Sequence, residues 1–192
     1  MKLGCVVMAA GSSRRFGRNK LLQEFCGKPL FQWALEAVPA GRFERVHVVT
    51  GYGPVAALAR EQGFEAVCNN CPEAGVSHTI RLGLEGLLDC QGVLFMTADQ
   101  PLLSGETICR LADVFQEHPS AILAASSQGK RGNPCLFPQD LFPALLKLEG
   151  DTGGSRVIKS HPDRLYLVEV PAQELADCDT AEALRVLEAG RT

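Results

Sequence analysis

Short apolar runs alternate with longer stretches of helical period along the whole chain, and that alternation limits what it can fold into. The runs at 3–9, 45–50, 65–69, 93–97, 121–125, 135–138 and 165–170 are rich in Val, Leu and Phe. Each is almost continuously apolar, as expected of a parallel strand covered on both faces. Between them, 29–38, 54–62, 77–89, 104–118, 139–147, 155–161 and 179–189 carry apolar residues at helical spacing. Strand and helix taking turns in this way predict a three-layer α/β/α domain with a mostly parallel sheet. Ligands of such sheets sit outside the carboxyl ends of the strands, near a reversal of strand order. With 192 residues, 46% of them apolar, the chain can bury one sizeable core, so a single domain over 1–192 is expected.

The charges point to a small partner. A formal net charge of -3, with both signs interspersed, gives no compositional support for nucleic-acid binding or for attachment to an acidic membrane. The opening MKLGCVVMAAGSSRR has an apolar run of about six residues, too short for a signal peptide, and no stretch approaches the roughly 18 apolar residues of a membrane span. A cytoplasmic protein is expected. Of the eight cysteines, Cys5, Cys26, Cys90, Cys109, Cys135 and Cys178 are scattered singly in apolar or helical contexts, as free thiols would be in a reducing compartment. Cys68 and Cys71 form a lone C-x-x-C. It lacks the second pair a zinc ribbon needs, and Pro72 follows where a redox pair normally opens a helix, so two reduced loop thiols are the simpler reading. The four histidines show no metal-ligand spacing.

Two segments carry chemistry. The first follows the first expected strand: Ala9-Ala10-Gly11-Ser12-Ser13-Arg14-Arg15-Phe16-Gly17-Arg18-Asn19-Lys20. Its glycines free the backbone, its serines add hydroxyls, successive N–H groups can form an anion-binding nest, and four cations stand beside them. A polyphosphate is the natural guest, although the spacing fits neither the Walker loop nor the dinucleotide G-x-G-x-x-G. The second segment, Met96-Thr97-Ala98-Asp99-Gln100-Pro101, ends the fourth expected strand with a carboxylate facing the same edge. Asp99 there can hold Mg²⁺ against phosphate oxygens, or it can cap the next helix. Gly51-Tyr52-Gly53 also follows a strand and opens a helix. Pro54 and the missing acidic partner make it an ordinary turn.

These residues have a family likeness. Residues 9–21 followed by Gly27-Lys28-Pro29-Leu30 resemble the A-A-G-x-S-x-R-M-G-x-x-K-L … G-x-P-L signature of nucleotidyltransferases that use a nucleoside triphosphate and release pyrophosphate. Ala98 to Pro101, Arg131 to Phe137, Gly150 to Gly153 with Arg156, and Asp177 to Thr180 narrow the resemblance to the molybdenum cofactor cytidylyltransferases. Phe16 stands where the family has methionine. The segment opened by Ser77 and the Asp179-Thr180-Ala181 stretch also depart from the family pattern. The resemblance implies a Rossmann-like sheet of the nucleotide-diphospho-sugar transferase type. Ala10 precedes Gly11 where guanylyl-transferring relatives have two glycines, which favours CTP over GTP.

The implied chemistry needs no general base, because an attacking phosphate is already ionised near neutral pH and the obstacle is repulsion among anions. The Gly11 to Gly17 backbone and Arg15 then address the β- and γ-phosphates. Lys20 addresses the α-phosphate, which makes Arg15, Lys20 and Asp99 the catalytic set. Nucleotide contacts are expected from Ala9, Ala10, Gly11, Ser12, Ser13, Arg14, Arg15, Gly17, Lys20, Asn70, Ser77, Thr79 and Ala98. The acceptor is expected among Gln100, Pro101, Arg131, Gly132, Asn133, Pro134, Gly150, Asp151, Gly153 and Arg156. By resemblance, Asp179 joins Asp99 as a ligand to Mg²⁺ or Mn²⁺, the other reading being a plain helix cap. The implied substrates are CTP and molybdenum-bearing molybdopterin, with a molybdenum hydroxylase as possible client. Transfer to a sugar or polyol phosphate is the alternative within the class. A non-catalytic carrier of a nucleotide-bearing cofactor is the alternative outside it.

Overall fold

Leu3–Met8 (β1) lies at the centre of the architecture, with every residue but the last buried. The computed structural model describes residues 1–11 and 19–189. A small hairpin follows, Glu24–Phe25 (β2) and Lys28–Pro29 (β3), and then Leu30–Ala37 (α1). Next come Arg45–Thr50 (β4), Gly53–Glu61 (α2), Glu65–Cys68 (β5), Val76–Glu85 (α3), Gly92–Thr97 (β6) and Gly105–Glu117 (α4). The chain continues through Ile122–Ser127 (β7), Lys130–Pro138 (β8), Phe142–Leu146 (α5), Ser155–Ser160 (α6), Leu165–Glu169 (β9) and Ala181–Ala189 (α7). Seven strands form one sheet in the order β5-β4-β1-β6-β8-β7-β9. Only β8 runs against its neighbours.

The apolar runs are continuous because both faces of the sheet are covered. Cys5 and Val7 of β1, with Leu94 and Met96 of β6, pack under α1, α2 and α4. Their sequence neighbours Val6, Val93 and Phe95 face the opposite layer of α3, α5 and α6. The helices supply matching stripes: Ile108, Leu111, Ala112 and Phe115 of α4 recur at i, i+3, i+4 and i+7. Helix α4 begins where Ser104 accepts a hydrogen bond from the Thr107 N–H. Two packed layers on one sheet thus confirm the expected α/β/α class.

Four details differ from expectation. The strand expected at 135–138 begins at Lys130 and is antiparallel, because Gln128 and Gly129, with φ of 50° and 73°, make a two-residue hairpin turn from β7. Arg131 to Pro134 therefore belong to a strand. The polar Lys130–Asn133 stretch, with Gly132 and Pro134 inside it, hid that strand. The last strand, β9, is a sheet edge with Tyr166 and Leu167 exposed, so it is not covered on both faces. The β2–β3 hairpin was not expected at all. Cys26 at its turn is exposed, unlike Cys5, Cys90, Cys135 and Cys178, and all eight thiols are free.

A third apolar cluster joins Phe25, Leu30, Cys178 and Leu184, flanked by Trp33, Leu102 and Leu187. It straps the C-terminal segment across the carboxyl edge of the sheet. The Cys178 N–H donates to the Asp99 carbonyl (3.0 Å), and the Cys26 N–H donates to Glu188 Oε1 (2.9 Å). No helix among the described residues is long and apolar enough to cross a membrane.

Helix α3 approaches the sheet closely enough to require glycine at position 83. A Cβ there would lie 2.4 Å from Val6 Cγ1 and 3.1 Å from Val49 Cγ2. Gly83→Ala should gain roughly 1 kcal/mol of helix propensity and lose more to overpacking, for a net loss on the order of 1–2 kcal/mol. Chemical denaturation checks this; a variant as stable as the parent would show that the helix can move away freely.

Candidate active site

The chain winds from β1 outward to β4 and β5, then crosses back to place β6 on the other side of β1. The reversal opens a crevice at the carboxyl ends of β1 and β6, where open α/β sheets bind ligands. Ala98 N–H donates to the Met8 carbonyl (3.1 Å) and Ala9 N–H to the Val49 carbonyl (2.9 Å), so both strand ends are fixed to their neighbours. Ala9 and Ala10 are buried as they leave the sheet, and the Gly11 carbonyl accepts the Tyr52 hydroxyl (2.9 Å). Ser12, Ser13, Arg14, Arg15 and Gly17 lie outside the described residues.

Asn19 Oδ1 accepts the Leu21 N–H (3.0 Å) and opens a tight turn whose buried Leu21 anchors it. Lys20, on the turn, points back to the strand ends. Its ammonium donates to Asp99 Oδ2 at 2.5 Å and to Asp179 Oδ1 at 2.8 Å. The side chains of Lys20 and Asp99 are each 15% exposed, and that of Asp179 57%. Burial by itself would lower the Lys20 pKa. The charge of Asp99 and the bonds to Asp179 and Asp99 outweigh it, so the pKa is raised and the lysine stays cationic. Asp99 leaves the capping of α4 to Ser104, and the Thr180 hydroxyl accepts the Ala183 N–H (3.1 Å) at the start of α7.

This cluster borders a cleft of about 280 Å³ lined by Ala10, Gly11, Lys20, Thr79, Asp99 and Asp151 among others. Larger grooves of about 460 and 650 Å³ lie elsewhere, but neither gathers opposed charges at the strand ends. Beside the cleft is a compartment of about 180 Å³ walled by Ile80, Phe95, Phe137 and Leu145, with Asn133, Gly153 and Ser155 at its polar side.

Several expected contacts take other partners. The Ser77 hydroxyl and N–H both donate to the Gly150 carbonyl (2.7 and 3.2 Å), so Ser77 pins the 150–151 loop instead of lining the cleft. Gly75, at φ 88°, makes that junction possible: a Cβ would stand 2.4 Å from Gly150. Asn70 is exposed and accepts the Cys68 thiol (3.0 Å). Its buried neighbour Asn69 bonds to Thr79 Oγ1 (3.1 Å) and supports the cleft wall. Gln100 is buried and donates to the Leu175 carbonyl (3.4 Å), while Pro101 borders the separate 460 Å³ groove. Neither reaches the cleft. Arg131 bonds to Ser155 (3.0 Å), Gly132 packs near Leu175, and Pro134 and Arg156 line neither compartment.

Asp177 has a place the sequence did not reveal. Although the residue is exposed, desolvation of its carboxyl and the charges of Asp99 and Asp179 push its pKa up to about 6, against the pull of Lys20. For a divalent cation, the donor set is all oxygen. Asp99 Oδ1 is buried with no hydrogen-bond partner among the described residues, while Asp99 Oδ2 and Asp179 Oδ1 already converge on one positive charge. Among the described residues no group of three or more His, Cys, Asp or Glu is placed to enclose a metal ion. Two carboxylates suit Mg²⁺ or Mn²⁺ that takes its remaining ligands from phosphates and water.

An α/β sheet with Lys20 between paired carboxylates at its switch point has the layout of a site for phosphate-bearing ligands. Residues 5–165 match the MobA-like NTP transferase domain, and the chain belongs to that family, as its motifs implied. It is 29% identical over 191 residues to the purine catabolism protein PucB of Bacillus subtilis, covering 92% of this chain and 91% of that one. It is 30% identical over 129 residues to the bifunctional protein GlmU of Cutibacterium acnes, covering 64% of this chain; it spans about a third (31%) of GlmU. The fold superposes on Rv0371c of Mycobacterium tuberculosis with a TM-score of 0.81 at 25% identity, over 98% of this chain and 99% of that one. Rv0371c has also been solved in complex with manganese, a structure with a TM-score of 0.76 at 24% identity over 98% and 99% of the two chains.

The Asp177 carboxyl makes stability depend on pH. Its folded pKa of about 6 lies above the ordinary 3.8, so the folded state prefers the proton and loses stability as pH rises from about 4 through 6. Asp177→Asn should therefore raise the melting temperature at about pH 7.5 and change it little at about pH 4. An equal change at both pH values would contradict the placement.

Proposed function

We propose that this transferase joins CMP from CTP to the phosphate of molybdenum-bearing molybdopterin and releases pyrophosphate. The observation that carries the reading is the convergence of Lys20, Asp99 and Asp179 beside the cleft at the β1–β6 switch point. One acceptor phosphate oxygen forms a bond to the α-phosphorus while the bond to the bridging oxygen of pyrophosphate breaks, and no proton need move. Lys20 stabilises charge on the α-phosphate, and Arg15 with the Gly11 to Gly17 backbone holds the β- and γ-phosphates. Asp99 and Asp179 would hold Mg²⁺ or Mn²⁺, which neutralises phosphate charge when bound.

The acceptor's pterin is assigned to the compartment that Phe95 and Phe137 help to line, whose aromatic character suits a flat ring. Asn133, Gly153 and Ser155 supply polar groups there, and Asp151 borders the nucleotide side. The near full-length likeness to PucB, a purine catabolism protein, supports a client enzyme that works on purines. The buried Ala10 methyl on the cleft wall supports the choice of the smaller pyrimidine.

Pyrophosphate release with CTP or GTP, against molybdopterin and a panel of sugar and polyol phosphates, tests the reading. CTP with molybdopterin should exceed every other pair by at least about tenfold in kcat/KM. A preferred sugar phosphate would replace the acceptor, equal use of GTP would remove the role given to Ala10, and no pyrophosphate from any pair would favour a carrier.

Lys20→Ala should slow single-turnover pyrophosphate release by roughly 100-fold or more while CTP affinity, read by calorimetry, changes much less. Arg15→Ala should mainly weaken CTP binding, since its contacts exist in the ground state. Normal turnover in Lys20→Ala would refute the α-phosphate role.

A further inference from the structure

The cleft and the smaller compartment share three lining residues, Met8, Val76 and Thr97. Two of these are apolar, which leaves the Thr97 hydroxyl as the polar side-chain group on the shared wall. Its oxygen is shielded from solvent and has no hydrogen-bond partner among the described residues. Such a group is unfavourable until something accepts its proton. Rotation about χ1 carries the oxygen to another of the three staggered positions on Cβ, a route by which it can meet a ligand at the wall. The position is also fixed, since Thr97 ends β6 and the next residue, Ala98, is bonded to β1.

An acceptor whose body sits in the aromatic compartment must carry its phosphate past this wall to reach a nucleotide beside Lys20 and Asp99. A neutral donor suits that point. It orients an anionic nucleophile without pairing away the charge that attacks, as a lysine or arginine would. Resting on the transferase reading above, we infer that the Thr97 hydroxyl donates to an acceptor phosphate oxygen at the boundary between the two compartments. It thereby sets the line along which that phosphate approaches the α-phosphorus.

The test is steady-state kinetics of the full chain with CTP and whichever phosphorylated acceptor of the panel, molybdopterin first, gives pyrophosphate with the parent. Thr97→Val, and Thr97→Ala should the valine variant fold poorly, remove the hydroxyl; Thr97→Ser keeps it. The hydroxyl-free variants should lose about 10- to 100-fold in kcat/KM for the acceptor, the scale of a lost hydrogen bond to a charged group. The KM for CTP should stay within about twofold, and the serine variant should recover most of the loss. Unchanged acceptor kinetics, equal losses for CTP and acceptor, or no recovery by serine would overturn the role of Thr97 while leaving the transferase reading intact. A parent chain with no turnover on any acceptor would overturn that reading and this inference with it.

Discussion

Everything at the carboxyl edge of this sheet is organised by one ammonium group held between two carboxylates. Lys20, Asp99 and Asp179 come from segments far apart in the chain, and each must be in place before the others are balanced. Taking Lys20 and Asp99 out of water is costly, and their mutual attraction offsets that cost only with close geometry and further hydrogen bonds. The protein meets this condition with rigid supports. Asn19 and buried Leu21 fix the turn that carries Lys20. The end of β6 carries Asp99, and the apolar cluster around Phe25, Leu30, Cys178 and Leu184 anchors the segment that carries Asp179. The C-terminal strap therefore belongs to the site although it lies beyond the family match at 5–165.

The same arrangement suits the proposed transfer to a phosphate, which needs no general base. Its task is to bring anions together, so the chain supplies a cation that burial cannot discharge and carboxylates that suit a hard metal ion. Asp177 adds a third acid nearby, at a cost in stability near neutral pH. Functional sites commonly contain such unfavourable groups, and the surrounding fold compensates.

The buried strands were legible because two covered faces leave no room for polar residues. The β1 and β6 runs could be read directly, with the strand ends that carry Ala9 and Asp99. The start of β8 could not, because Lys130, Arg131 and Asn133 are polar and Gly132 and Pro134 oppose strand structure; the turn at Gln128 and Gly129 overrides them. Lys20 and Asp99 were legible from residue type and position after strands. The partners of Ser77 and Asn70 were not legible, because hydroxyls and amides pair with whatever the tertiary fold brings near, here Gly150 and Cys68. The surroundings of Asn69, Thr97 and Asp177 could not be read locally, since their neighbours are distant in sequence.

The central claim is that the carboxylates paired with Lys20 are where a divalent cation and the nucleotide's phosphates meet. Titration of the full chain with Mn²⁺ in the presence of CTP, followed by electron paramagnetic resonance, tests it most directly. A saturable site is predicted, weakened at least about tenfold in Asp99→Asn and less in Asp179→Asn. Unchanged Mn²⁺ affinity in Asp99→Asn, with CTP still bound, would contradict the account.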